Sequence, residues 1–356
     1  MESPKAYTRI VVKIGSSLIP ARDNVIDTSY LSSIVDQIHT LLDSEAKEVV
    51  VVSSGAVACG MSLLGLKKRP RDVARLQAAA ATGQSELMAI YRRLLGKKDR
   101  LCAQLLLTRG DFEHRDRFLN VRNTIFTLLE KGVIPIVNEN DTVSTEEIGF
   151  GDNDMLSGLV ATLIGADVLL ILSDVDGLYK WPRKEPISYV ERITTELEEY
   201  CIGSGKGTTV GGMSSKLAAI KLLTASGISC VIANGRAKNV LLKVARKQLI
   251  GTVFLPQGPN VPARKRWIAG SVRVKGTIIV DDGAKQALIS RNGSLLSVGI
   301  TDVRGEFAAD DIVGIAGTDG VEFARGQVAF SAAELKDLKG KRVKQRVIHR
   351  NDMAIL

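Results

Sequence analysis

Six short runs rich in Val, Ile and Leu recur along the first two-thirds of the chain, at Arg9–Ile14, Glu48–Val52, Leu101–Thr108, Val133–Val137, Asp167–Leu172 and Ser229–Ala233. Each is strand-length and too continuously apolar to keep one face in water, the pattern of strands buried on both faces. Segments of helical spacing fill the intervals, at Thr28–Ser44, Val73–Leu95, Phe118–Glu130, Asn153–Ile164, Ser214–Ser226 and Lys238–Lys247. Strand, helix, strand repetition predicts an α/β fold, a mostly parallel sheet covered by helices on both faces. Aromatic residues are only 4% of the chain, so aliphatic side chains must fill that core.

The pattern changes at Pro256-Gln257-Gly258-Pro259-Asn260-Val261-Pro262, followed by the basic run Arg264-Lys265-Arg266. Pro and Gly at this density end an element and mark a boundary. The 356 residues suit two domains, and the expected division is 1–257, a linker over 258–270, and 271–356. The second part reads as a small β-barrel-like domain without long helices, with strands at Ser271–Val280, Asp311–Ile315, Val321–Phe330 and Arg342–His349.

Several function classes are disfavoured at this level. Cys59, Cys102, Cys201 and Cys230 are scattered, with no C-x-x-C pair, which argues against a zinc cage or a disulfide framework and fits a reducing, cytoplasmic compartment. The first ten residues lack the apolar core of a signal peptide. Val49–Leu66 is uncharged, but Ser53, Ser54, Gly55, Gly60, Ser62 and Gly65 interrupt it, so it reads as strand, tight loop and helix start rather than a membrane span. The net charge is +9, with more than half of the excess in the last quarter of the chain, which permits a nucleic-acid partner and is equally usual on a solvated surface.

In parallel sheets ligands gather at the carboxyl ends of the strands, and polar residues follow these strands. The first ends in Lys13-Ile14-Gly15-Ser16-Ser17 and the second in Ser53-Ser54-Gly55-Ala56. Glycine lets backbone approach an anion, hydroxyls add donors, and Lys13 offers a point charge for phosphate. Tight strand-to-helix turns would use the same residues. The fourth strand runs into Asn138-Glu139-Asn140-Asp141, and Gly151-Asp152-Asn153-Asp154 follows at a helix start. One cluster alone could be helix capping; two together suit a site for an amino acid's ammonium group and for cationic side chains or metal. The fifth strand ends in Ser173-Asp174. Downstream, the glycine-rich segment from Gly203 to Lys216 fails the G-x-x-x-x-G-K-[ST] spacing of a phosphate loop. None of the three histidines, His39, His114 and His349, lies in these motifs, so histidine acid–base chemistry is disfavoured.

In this order, Val11-Val12-Lys13-Ile14-Gly15-Ser16-Ser17, Ser53-Ser54-Gly55-Ala56, Val137-Asn138-Glu139-Asn140-Asp141, Gly151-Asp152-Asn153-Asp154 and Gly211-Gly212-Met213-Ser214-Ser215-Lys216 resemble the glutamate 5-kinase family. Arg264-Lys265-Arg266-Trp267 and the β-rich segment after it resemble the PUA domain that many members carry. The resemblance implies the amino-acid kinase fold for residues 1–257 and transfer of phosphate from ATP to the side-chain carboxylate of L-glutamate, the first step toward proline.

By position, Lys13 and Lys216 would contact the ATP phosphates and Asp154 would orient both. Ser54, Asp141 and Asn153 would hold glutamate, with Asn138 beside them. Gly15, Ser173, Asp174, Val210, Gly211, Gly212, Met213, Ser214 and Ser215 would complete the nucleotide site. Mg would enter mainly through the ATP phosphates, with no protein metal cage. Val210, Ser215 and Ser173 stand where the family more often has threonines, and only Val210 lacks a hydroxyl.

Implied partners are L-glutamate, proline as feedback inhibitor, and a second copy in a homo-oligomer; RNA is allowed through the PUA domain but not required, and no membrane is involved. Thr142–Phe150 is the expected segment for sensing which ligand is present. The rival readings are a kinase of another small acid and an RNA-binding protein acting through its second domain.

Overall fold

A computed structural model describes residues 6–143, 153–179, 185–197, 213–257 and 274–356, together with 265 and 268, apart from short gaps at 20, 23–24, 27, 46–47 and 292. The chain runs β1 (Arg9–Ile14), β2 (Ala21–Arg22), β3 (Val25–Ile26), α1 (Ser29–Glu45), β4 (Glu48–Ser53), α2 (Ala56–Leu63), α3 (Val73–Gly96), β5 (Cys102–Leu107), α4 (Gly110–Glu113), α5 (Arg115–Glu130) and β6 (Ile134–Glu139). It continues with α6 (Asn153–Ile164), β7 (Val168–Ser173), β8 (Tyr189–Val190), α7 (Met213–Ala225), β9 (Ser229–Asn234), α8 (Val240–Ala245) and β10 (Thr252–Phe254). Two compact units result, Met1–Asp111 with Asp116–Pro259 and Phe112–Arg115 with Asn260–Leu356.

In the first unit eight strands form one sheet in the order β5-β6-β4-β1-β7-β9-β10-β8. The six strands read from the sequence are all present and parallel. β10 adds antiparallel to β9, and β8 pairs parallel to β10. These two carry only three and two residues, too few for a periodic signal.

The central strands β1 and β7 are buried almost throughout, and each fully buried aliphatic side chain contributes roughly 1.5–3 kcal/mol. Strand alternation divides β1 between two faces. Ile10, Val12 and Ile14 join Val49, Val51, Leu170 and Leu172 in a cluster under Leu31, Ile34 and Ile38 of α1 and Leu87, Ile90 and Tyr91 of α3. Val11 and Lys13 therefore point to the opposite face, where α6 crosses the sheet.

At the amino end of the sheet, Arg9 pairs with Glu48 at 2.5 Å and donates to the Ile164 carbonyl at 2.8 Å. The Asp167 carboxylate accepts from the Thr8 and Arg9 amides at 2.6 and 2.8 Å. β1, β4 and the α6–β7 turn are thus tied together at the end opposite the strand-end motifs.

α2 and α3 meet backbone to backbone. A Cβ on Gly60 would stand 1.7 Å from the Ala79 carbonyl oxygen, and one on Gly83 would stand 1.9 Å from that of Ala56. The uncharged Val49–Leu66 stretch is strand, turn and this helix, as read, and no helix of the described residues is long and apolar enough to cross a membrane.

The second unit contains β11 (Gly276–Val280), α9 (Asp282–Arg291), β12 (Ile300–Gly305), β13 (Ile312–Ala316), β14 (Glu322–Gln327), α10 (Ala332–Leu338) and β15 (Met353–Ile355). Its sheet order is β12-β11-β13-β14-β15, over a core of its own that includes Ile278, Val280, Leu295, Val313, Ile315 and Leu335.

Three expectations for this unit are corrected. α9 and α10 interrupt the strands: the Asp281 carboxylate accepts from the Ala284 amide at 2.7 Å, and Ser331 with Glu334 forms a reciprocal capping box. The second was readable as S-x-x-E, the capping-box signature, whereas Asp281 is a lone capping acid. β12 was missed because only Ile300 and Val303 of its six residues are buried. Arg342–His349 is not a strand. Met353–Ile355 occupies the free edge of β14 instead, and of 342–349 only Val347 and Ile348 are buried, with Ile348 bridging Leu295.

Since the atoms facing Gly60 and Gly83 are backbone, neither site can relax by rotating a side chain. Gly60→Ala and Gly83→Ala should each lower stability by about 1–3 kcal/mol, read as a reduced midpoint in urea denaturation.

Candidate active site

Lys13 lies one residue before the end of β1, on the face that α6 covers, and Asp154 lies in the first turn of α6. Their Nζ and Oδ1 atoms are 2.5 Å apart, with the aspartate side chain fully buried. The other oxygen, Oδ2, is 2.8 Å from Lys216 Nζ. Lys216 belongs to the first turn of α7, which packs on α6 where a Cβ on Gly158 would stand 3.4 Å from that of Ala219. One turn back along each helix from that contact stand Asp154 and Lys216. A β-strand end and two helix starts thus deliver three charges to one point.

Burial pushes the Asp154 carboxyl up, but the ammonium groups of Lys13 and Lys216, with their hydrogen bonds, outweigh it and hold it below the usual carboxylate range. Its ionised form therefore stabilises the fold at neutral pH, and that contribution is lost only as pH falls through the depressed value. Two lysines on one aspartate leave a net charge of +1 at the buried centre.

Asn153, beside Asp154, joins the two polar clusters of the sequence. Its Nδ2 donates to Ser54 Oγ at 2.8 Å and Asn138 Oδ1 at 2.9 Å, with the Ser53 carbonyl at 3.3 Å. Asn153 Oδ1 is buried and has no hydrogen-bond partner among the described residues. Ser54 Oγ accepts from Asn153, so its own O–H remains to donate.

These groups border a pocket of about 120 Å³ that also meets Gly55, Arg69 and Asp141. Gly55 caps α2 at φ 112°, a left-handed conformation open to glycine, and supplies no side-chain acceptor. Ala56, Val57 and Ala58, the first turn of α2 and the positive end of that helix, line the pocket. Asp141 is half-buried; desolvation raises its carboxyl above the ordinary value and the Arg69 guanidinium offsets part of the rise.

A further polar group forms where β7 and β9 end side by side. Ser173 Oγ donates to Asp174 Oδ1 at 3.1 Å, and Asn234 Nδ2 donates to Asp176 Oδ1 at 2.9 Å. The Arg236 amide donates to Asn234 Oδ1 at 2.9 Å.

Of the residues singled out in the sequence, Lys13, Asp154 and Lys216 are brought together by ion pairs, and Ser54, Asn138 and Asn153 by hydrogen bonds, with Asp141 on the same pocket. Gly15 keeps no amide for an anion, because its N–H donates to the Leu172 carbonyl at 3.2 Å. Its lack of a side chain is what matters: a Cβ would stand 3.1 Å from that oxygen and 4.0 Å from Lys13 Nζ. The Ser54 amide is engaged likewise, by the Ile14 carbonyl.

Met213 and Ser215 lie in the first turn of α7. Val210, Gly211, Gly212, the side chain of Ser214 and most of Thr142–Phe150 lie outside the described residues. Sequence reading missed Arg69, the exposed last residue of the basic run Lys67-Lys68-Arg69, which belongs to no motif, and Asn234, which the rule that polar residues follow strands would have found. It also missed Gln84, a polar residue on the buried stripe of α3.

Residues 8–234 match the amino acid kinase family and residues 276–349 the PUA domain. The glutamate 5-kinase of Geobacter sp. (strain M21) is 43% identical over 368 residues, covering 99% of this chain and 98% of that one. The glutamate 5-kinase of Burkholderia lata is 41% identical over 364 residues, covering 98% of each chain. Among solved structures, UMP kinase from Bacillus anthracis aligns at 15% identity with a TM-score of 0.49, covering 71% of this chain and 98% of that one.

The raised carboxyl of Asp141 fixes the sign of a pH effect. Its folded value exceeds the unfolded value near about 3.9, so keeping it ionised opposes folding at neutral pH, and that opposition fades as pH falls toward about 4. Asp141→Asn should raise the urea midpoint at pH 7, with the gain shrinking toward pH 4.

Proposed function

Because the chain belongs to the amino acid kinase family, and within it to the glutamate 5-kinases, we propose that it transfers the γ-phosphoryl group of ATP to the side-chain carboxylate of L-glutamate. The product is L-glutamyl 5-phosphate, and the reaction is the first step of proline biosynthesis. The observation that carries this reading is the juxtaposition of a two-lysine, one-aspartate centre with a pocket whose groups complement an amino acid. Asn153 Oδ1 and Asp141 suit an ammonium group, while Arg69, the Ser54 hydroxyl and the start of α2 suit carboxylates.

Glutamate's side-chain carboxyl is already ionised at pH 7 and needs no general base to act as a nucleophile. The protein's task is to hold it in line with the phosphoryl group and to stabilise the charge that spreads over the transferring oxygens. Lys13 and Lys216 supply that charge, and Asp154 keeps both ammonium groups aimed from the carboxyl end of the sheet. Ser173, Asp174 and the residues from Val210 to Ser215 belong to the nucleotide side in this reading, with Asn234 and Arg236 beside Ser173 at the same strand ends.

Among the described residues no three His, Cys, Asp or Glu side chains gather as a metal would need, and both oxygens of Asp154 face lysines. In this reading Mg would be carried on the ATP phosphates. When bound there it neutralises phosphate charge.

Residues 1–257 act as the kinase domain, 258–270 as a linker and 271–356 as the PUA domain in this reading, in a cytoplasmic homo-oligomer. An RNA partner for the PUA domain is not required, and salt-dependent RNA affinity tests it separately. Proline shares glutamate's α-carboxylate and amine, so it is read as a feedback inhibitor of the same pocket. High glutamate should relieve proline inhibition; inhibition that persists at saturating glutamate places proline elsewhere.

Lys13→Ala and Lys216→Ala should each lower kcat by about 10²–10³-fold with the circular-dichroism spectrum of the folded protein retained. Asp154→Asn should lower kcat more than it raises the glutamate KM. A panel of small carboxylates with coupled ADP detection tests the substrate, and turnover of another acid in preference to glutamate would overturn the assignment.

A further inference from the structure

We infer that Tyr91, which no sequence motif marks, is a positioning residue: acting through Ser53, it fixes which way the peptide joining Ser54 to Gly55 faces, and with it the affinity for a substrate carboxylate. The inference rests on the glutamate reading above. α3 reaches the site at two points, Gln84, whose Oε1 accepts from Asn138 Nδ2 at 2.8 Å, and Tyr91. Tyr91 is fully buried, in the same core cluster as Leu87, Ile90, Leu94 and Leu95. Its hydroxyl lies 2.8 Å from Ser53 Oγ, and Ser53 Oγ lies 3.0 Å from the Ser54 carbonyl oxygen.

One arrangement of protons uses both contacts. A carbonyl oxygen only accepts, so Ser53 gives its single proton to Ser54, and the Tyr91 phenol donates to Ser53. The phenol keeps that proton, because burial raises its pKa above the ordinary value. Were Ser53 to turn its proton on Tyr91, the Ser54 carbonyl would lose a donor and the phenol proton would be left in an apolar core. The buried phenol thus acts on a backbone carbonyl of the site.

That carbonyl belongs to the peptide on which the conformation of Gly55 depends. Gly55 has φ 112° and ψ −9°. Reversing the peptide plane, a change of about 180° in φ, brings Gly55 to a φ of about −68°, a right-handed conformation open to every residue and the change that relates type II to type I turns. The turn therefore has two peptide orientations available to it. In a trans peptide the C=O and N–H point in opposite directions. The Ser53 hydroxyl holds the carbonyl and so directs the Gly55 N–H away from the buried pair, and this N–H has no hydrogen-bond partner among the described residues. Ser54 and Gly55 both line the pocket. Reversal would put a carbonyl oxygen where the N–H now points, an exchange that disfavours a carboxylate.

The test uses the full chain. Tyr91→Phe removes the donor at nearly constant volume, Ser53→Ala removes the relay, and Gly55→Ala disfavours the observed φ while admitting the reversed peptide. Tyr91→Phe should raise the glutamate KM about fivefold. Its kcat and ATP KM should stay nearly unchanged, because saturating glutamate draws the peptide back to the binding orientation. Ser53→Ala and Gly55→Ala should show the same split. Combining Tyr91→Phe with Gly55→Ala should raise KM by less than the product of the single effects, since both act on one peptide. A crystal structure of Tyr91→Phe without glutamate should show Gly55 at negative φ.

A folded Tyr91→Phe whose urea midpoint falls while its glutamate KM stays at the parent value shows a packing role alone and overturns the inference. A fall in kcat with KM unchanged, or a double variant that gives the full product, overturns it too. Absence of glutamate turnover in the unsubstituted chain overturns the functional reading and this inference with it. If Tyr91→Phe does not fold, Ser53→Ala is held to the same split.

Discussion

Asp154 sits where no carboxylate would be tolerated alone. Its side chain is fully buried, and the ammonium groups on either side outweigh the cost of burying its charge. The dependence is mutual, since Lys13 and Lys216 are also largely buried and the carboxylate between them offsets their charge. This three-charge centre constrains much of the surrounding fold. Lys13 must leave a central strand on the face that α6 crosses, α6 must begin at the strand ends, and α7 must start within reach, which the contact of Gly158 with Ala219 arranges. Charges already held in place need little reorganisation when phosphoryl charge develops, and preorganisation of this kind is commonly the largest electrostatic contribution to catalysis.

That economy explains what could be read in advance. The six long strands are nearly continuous aliphatic runs because both faces of the sheet are covered, and α6 has the expected bounds, Asn153–Ile164. Residues that act at strand ends and helix starts are legible because their positions follow from topology. Lys13, Ser54, Asn138, Asp154 and Lys216 are of this kind. Gln84 and Arg69 are not, since one reaches the site from the middle of a helix and the other from the loop between α2 and α3, and neither position is marked by an element's end. In the second unit two short capped helices and a half-exposed strand were overlooked, and alternation in Arg342–His349 suggested pairing where the sheet edge is taken by Met353–Ile355. Periodicity proposes strands, but vacancy in the sheet decides which are used.

The two ends of the site follow different electrostatic rules, and adjacency in sequence accounts for the difference. Asn153 and Asp154 are consecutive, so an acidic residue at 153 would put a second carboxylate beside one already buried and compete for the same lysines. A neutral amide avoids that conflict. It stands beside Asp154 without drawing Lys13 or Lys216 from it, and its orientation is held by bonds from its NH₂ group to the Ser53 carbonyl, Ser54 Oγ and Asn138 Oδ1. The formal negative charge that an ammonium ion prefers is placed farther along, on half-buried Asp141, where Arg69 moderates it. Charge for phosphate at the buried centre, a neutral amide beside it, and a carboxylate displaced along the pocket form one arrangement, in which the ionised Asp154 stays paired with both lysines.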